Sequence, residues 1–114
     1  MPPKRNPLKQ NKLQLRTLLL FQELARHPET ATVDAETGEA MLSTLPHPHG
    51  DHVHIGSFVV SSGDASGFSN QSVWKALERK GLARSNFPLA ITLTIDGLDY
   101  DTGLDEKLAH PSDH

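Results

Sequence analysis

The chain has 114 residues, with 11 Lys and Arg against 14 Asp and Glu, a net charge of −3 and no cysteine. That is one domain's length, and without cysteine there are no disulfide frameworks, Cys-zinc sites or thiol catalysis. Leu, Ile, Val and Phe total 28 residues, enough for a modest core; no apolar run approaches the roughly 18 residues that cross a bilayer. Residues 1–10 lack the apolar segment of a secretory signal. A soluble, cytoplasmic, single-domain protein is therefore expected.

Residues 1–10, with three prolines, read as a flexible basic arm. From about residue 11 the spacing turns helical. At 100° per residue Leu13, Leu20, Phe21 and Leu24 share one stripe, which Leu18 and Ala25 widen. So wide a stripe suggests burial on more than one side, and a homodimer through this helix is expected, two-fold pairs being the commonest oligomers. His27-Pro28 ends the helix, because a residue before proline is pushed out of the α region.

Residues 31–33 and 39–45 flank Asp34-Ala35-Glu36-Thr37-Gly38, an ordinary hairpin connection. After a break at 46–51, the alternation of Val53 and Ile55 with His52 and His54, followed by Phe58-Val59-Val60, reads as one strand. Residues 61–67 read as a Ser/Gly loop. Ser69 is a candidate N-cap for a helix over about 70–80, with Gly81 where a C-terminal glycine belongs. Val73, Trp74, Ala76 and Leu77 form its apolar side; Trp74 reads as core. Residues 89–95 read as a C-terminal strand, Asp96-Gly97 as a turn, and residues 102–114 as an acidic, disordered tail. The predicted fold is thus α+β: a long first helix, a hairpin and strand, a second helix and a final strand, within one domain over 11–101.

Charge is unevenly distributed. Residues 1–16 carry +5, 17–74 carry −6, 75–84 carry +3 and 96–114 carry −5. Two basic patches in a near-neutral chain suit an anionic partner.

The stretch Ser69-Asn70-Gln71-Ser72-Val73-Trp74-Lys75-Ala76-Leu77-Glu78-Arg79-Lys80-Gly81-Leu82 resembles the recognition helix of winged-helix DNA-binding domains of the MarR-like regulators, and Leu93-Thr94-Ile95-Asp96-Gly97 resembles the close of the wing. The resemblance covers about 30 residues and implies a winged-helix-like fold that binds double-stranded DNA. The family has a further helix just before its recognition helix, whereas residues 52–67 read here as strand and loop. A helix presenting Gln71, Ser72, Lys75 and Arg79 carries the side chains that read a major groove. Asn70 and the helix start can meet phosphate, Arg84 lies on the short wing, and Lys4 and Arg5 belong to an arm able to reach an adjacent groove.

A second constellation is His47-Pro48-His49-Gly50-Asp51-His52-Val53-His54. Imidazoles and a carboxylate are ordinary ligands for zinc and similar divalent transition metals, which makes His47, His49, Asp51, His52 and His54 candidate metal ligands. The six residues His47 to His52 resemble the His-x-His-x-Asp-His motif of metallo-β-lactamase-fold hydrolases, which implies a dinuclear metal site. That fold needs about twice this length, and no serine, aspartate or glycine pattern elsewhere points to catalysis. Three readings follow: a regulatory DNA-binding protein that is not an enzyme, a metal-binding or interaction module using loop 47–54, and, last, a metal-dependent hydrolase.

Overall fold

Asn11 opens the first helix with a reciprocal cap. Its side chain accepts from the Gln14 amide at 2.8 Å, and the Gln14 side chain accepts from the Asn11 amide at 3.1 Å, satisfying two N–H groups that a helix start otherwise leaves open. In this computed structural model, which describes residues 11–43, 45, 50–55, 58–63, 65–102 and 110–111, helix α1 runs over Lys12–Leu24. It ends before Pro28, where the Thr30 hydroxyl donates to the Leu24 carbonyl at 2.6 Å. Residues 1–10, the expected arm, lie outside the described residues.

The wide stripe of α1 is consumed within one chain. Leu15, Leu18, Leu20, Phe21 and Leu24 are buried, under a 3-10 turn (Ser66–Ser69), helix α2 (Gln71–Arg79), helix α3 (Ile95–Asp99) and strand β3 (His52–Ile55). The feature that suggested a second copy is therefore covered by the chain's own elements. The one polar residue in the stripe, Thr17, is fully buried. Its hydroxyl donates to the Leu13 carbonyl at 2.7 Å, and Gly67 of the 3-10 turn closes over it: a Cβ at Gly67 would lie 1.8 Å from Thr17 Oγ1.

The fold is α+β, with two antiparallel sheets. The first contains β1 (Ala31–Val33), β2 (Ala40–Leu42), β5 (Ala83–Asn86) and β6 (Ala90–Leu93) in the order β1-β2-β6-β5. The β1–β2 hairpin forms at the predicted reversal, β1 over the predicted 31–33 and β2 shorter than the predicted 39–45, with Asp34 accepting from the amides of Glu36 and Thr37, and with Gly38 at φ 79. Ala40, Leu42, Ala83, Ile91 and Leu93 face the core. On the opposite face, the register lines up Thr32, Met41, Thr92 and Arg84 across all four strands.

The second sheet corrects the single strand expected over 52–60. β3 (His52–Ile55) and β4 (Phe58–Ser61) form a hairpin in the register His52↔Ser61 through Ile55↔Phe58. Pairing Ile55 with Phe58 leaves two residues for the reversal, and the apolar alternation on either side conceals it. Val53, Ile55 and Val60 enter the core. A two-residue strand β7 (His110–Pro111) pairs with β4, so this part of the acidic tail, expected to be disordered, is a sheet partner instead; residues 103–109 and 112–114 lie outside the described residues.

Helix α2 starts one residue later than predicted. Asn70, not Ser69, is the cap, its side chain accepting from the Ser72 amide at 3.0 Å, while Ser69 ends the 3-10 turn. At the other end Gly81 has φ 77, a region closed to most side chains. The Gly81 amide bonds the Glu78 carbonyl and the Leu82 amide bonds the Leu77 carbonyl, which is the double-bonded glycine stop. The stretch predicted as a turn at Asp96-Gly97 is helix α3. Thr94 caps it by accepting from the Gly97 amide at 3.1 Å while its hydroxyl donates to the Gly81 carbonyl at 2.7 Å. Gln22 of α1 ties α3 down by donating to the carbonyls of Gly97 and Tyr100, both at 2.9 Å.

Trp74 joins these pieces. It is fully buried, edge-on to Phe21 at 5.9 Å and to Phe87 at 4.9 Å, and its indole N–H donates to the Gly67 carbonyl at 3.1 Å. Phe21 in turn stacks on Phe68 at 5.2 Å. Offset and edge-to-face pairs of this kind add about 0.5–1.5 kcal/mol each beyond area burial. The helices, the 3-10 turn and the β5–β6 hairpin thereby share one aromatic centre, which fixes how α2 is presented.

Candidate nucleic-acid interface

Helix α2 divides cleanly into two faces. Val73, Trp74, Ala76 and Leu77 are buried, while Gln71, Ser72, Lys75, Glu78 and Arg79 are exposed. With 3.6 residues per turn, Gln71, Lys75, Arg79 and Ser72 fall within an arc of about 100°, on a helix about 13 Å long. Among the described residues no ion pair engages Lys75 or Arg79. Glu78, on the edge of the arc, accepts from the Ser85 amide at 3.3 Å and ties α2 to β5. Lys80, exposed beside Arg79, adds a cation to this end of α2.

Two predicted contact residues are already committed. The Asn70 carbonyl oxygen is the helix cap, so only its amide nitrogen is left for a ligand. Arg84 reaches from β5 across β6 and forks onto the Glu39 carboxylate, one prong at 2.9 Å and the second shorter. The Arg84 guanidinium, chiefly through this hydrogen bond, holds the Glu39 carboxyl below the usual glutamate range, and Glu39 raises Arg84 in return. Arg84 is therefore a strut of the first sheet rather than an uncommitted wing cation. Lys4 and Arg5 lie outside the described residues.

Of the predicted metal ligands, Asp51, His52 and His54 are among the described residues. His47 and His49 lie outside the described residues. Asp51 sits in the turn before β3 with its side chain fully exposed, its carboxylate 3.4 Å from His52 Nδ1. His52 and His54 share the solvent side of β3, their rings edge to face with centroids 5.0 Å apart. Among the described residues no group of three or more His, Asp or Glu side chains is placed to hold a metal ion.

Among the described residues no helix is long and apolar enough to cross a membrane. Comparison with protein-family models, with characterised proteins and with solved structures found no match.

Proposed function

We propose that the protein binds double-stranded DNA, laying the outer face of α2 in a major groove. The observation that carries this reading is the division of α2. Its inner side is buried around Trp74, and its outer side presents Gln71, Ser72, Lys75 and Arg79 on one arc. Glutamine can pair with adenine, arginine or lysine with guanine, and serine with either. An α-helix, about 10–12 Å across with its side chains, fits a major groove about 12 Å wide.

The order of elements supports the same reading. Two hairpins and a 3-10 turn separate α1 from α2, α2 is followed by the β5–β6 hairpin, and β2 lies beside β6 of that hairpin. A presented helix followed directly by a two-stranded hairpin is the part of this order that a winged-helix-like domain would share. The β3–β4 hairpin and the 3-10 turn stand where that family has its middle helix, so among the described residues no helix-turn-helix precedes α2.

Phosphate attraction from the N-terminal basic block and from Lys75, Arg79 and Lys80 would supply affinity, and the base edges selectivity. The central and C-terminal acidic blocks oppose nonspecific binding, so the reading requires a preferred sequence. An NMR titration of the labelled protein with a pool of short duplexes tests the docking. Amides of residues 70–80 should shift with added DNA while those of the β1–β2 hairpin stay in place. Shifts confined to other elements, or none, would overturn it.

A further inference from the structure

The His52–His54 pair takes no part in the proposed DNA contact, and its geometry points to a ligand of its own. We propose that these two histidines chelate a single borderline divalent metal ion, zinc, nickel or copper, on the solvent face of the β3–β4 hairpin.

Three observations converge. First, the pair is held by the strand. Residues two apart on β3 point to the same side, while Val53 and Ile55 between and beside them are anchored in the core, so the two Cβ atoms are held at a fixed spacing on one face of the strand. Second, the spacing suits one ion. A metal about 2.0–2.1 Å from a ring nitrogen lies roughly 3.2 Å from the ring centre, so two imidazoles at a tetrahedral angle have centres about 5.2 Å apart, and at a right angle about 4.5 Å. The observed separation is 5.0 Å. Turning the rings about their final torsion, which is soft for histidine, suffices to aim a nitrogen of each at a common point. Third, Asp51 lies 3.4 Å from His52 Nδ1. A carboxylate beside one ring nitrogen favours the proton there and coordination through the other, as in the carboxylate-histidine-metal arrangement. Asp51 thus acts as a positioning residue and adds negative charge beside the ion.

β3 is the edge strand of its sheet and His54 is exposed, so an ion has direct access. Imidazole nitrogens select zinc, nickel and copper over magnesium and calcium, which demand oxygen ligands.

The test is calorimetric titration of zinc chloride into the full, tag-free chain at neutral pH, with His52→Gln, His54→Gln and Asp51→Asn beside it. Because both histidines face solvent, the variants should keep the parent melting curve. The expected result is one zinc per chain, an affinity lowered at least about tenfold in each histidine variant, and a smaller loss in Asp51→Asn. A second readout does not depend on heats: zinc should perturb the ring resonances of His52 and His54 together, with the same midpoint. No uptake at millimolar zinc, or affinity unchanged in either histidine variant, would overturn the proposal; in the latter case other histidines hold the metal. Magnesium chloride in place of zinc should give no binding.

Discussion

Arg84 and Glu39, 45 positions apart, close a two-pronged ion pair across the intervening strand β6. This pins β5 to the start of β2 on the face that carries Thr92 and Met41. The pair belongs to the sheet and not to a ligand. Arg84→Ala is therefore expected to leave DNA affinity nearly unchanged, whereas Arg79→Ala lowers it. Parallel anisotropy titrations of the two variants make the comparison.

The same pair sets a pH dependence. The folded carboxyl of Glu39 titrates below its unfolded value because Arg84 bonds the charged form. The pair's contribution is then fully present above the ordinary glutamate range and disappears as pH falls through the lowered folded value. Carbon-detected NMR titration should place the Glu39 carboxyl below that of a reference peptide, and Arg84→Met should return it to the usual range. An unmoved midpoint in that variant would assign the shift to another group.

Two glycines are expected to be intolerant of alanine for different reasons. At Gly67 the added Cβ meets the Thr17 side chain at 1.8 Å, and at Gly97 it meets the Leu82 backbone carbonyl at 1.9 Å. Overpacking of this kind costs roughly 1–3 kcal/mol. Thr17→Ala removes the closest atom at the first site, so Gly67→Ala should be partly rescued in the double variant. Gly97→Ala has no side chain to trim and should be rescued by neither. Urea unfolding of the two single variants and the double decides between these outcomes.

The indole hydrogen bond from Trp74 to Gly67 yields a further expectation. Trp74→Phe keeps an aromatic ring but loses the indole hydrogen bond to Gly67, whose carbonyl keeps its bond from the Asn70 amide, a loss of about 0.5–1.5 kcal/mol, and it also opens a cavity. The midpoint of urea unfolding should fall clearly, and DNA affinity measured well below that midpoint should fall much less.

Elements with strong local signals were legible in the sequence. The α1 stripe, the Asp34–Gly38 reversal and the Gly81 stop each depend on residues within a few positions of one another, and the structure places all three as read. The β3–β4 reversal was not legible, because Val53, Ile55, Val59 and Val60 sustain a strand-like run across it. Helix α3 is too short for periodicity to appear, and the pair Asp96-Gly97 reads locally as a turn; its cap, Thr94, is recognisable only once the Gly81 carbonyl is beside it. At the candidate site, the outward position of Gln71, Ser72, Lys75 and Arg79 followed from helix spacing alone. The loss of Arg84 to Glu39 did not, since no local pattern links residues so far apart. The His52–His54 juxtaposition followed from strand alternation, whereas the wider five-ligand cluster rested on proximity in sequence only.

Within the DNA reading, two classes of substitution should separate. Lys4→Ala with Arg5→Ala should weaken binding to all sequences alike and reduce the salt slope by about one unit per lost phosphate contact. Gln71→Ala or Arg79→Ala should cost roughly 1–3 kcal/mol on a preferred site and much less on random duplex. Anisotropy titrations over a range of salt concentrations measure both quantities.

The central claim is that the outer face of α2 reads DNA, and selection from a random-sequence duplex pool at about 50 mM salt, where phosphate contacts are strongest, tests it most directly. The parent protein should enrich a defined sequence, and that enrichment should be lost when Gln71 and Arg79 are both replaced by alanine in a chain that still folds. No enriched sequence from the parent protein, or the same sequence enriched by the double variant, would contradict it.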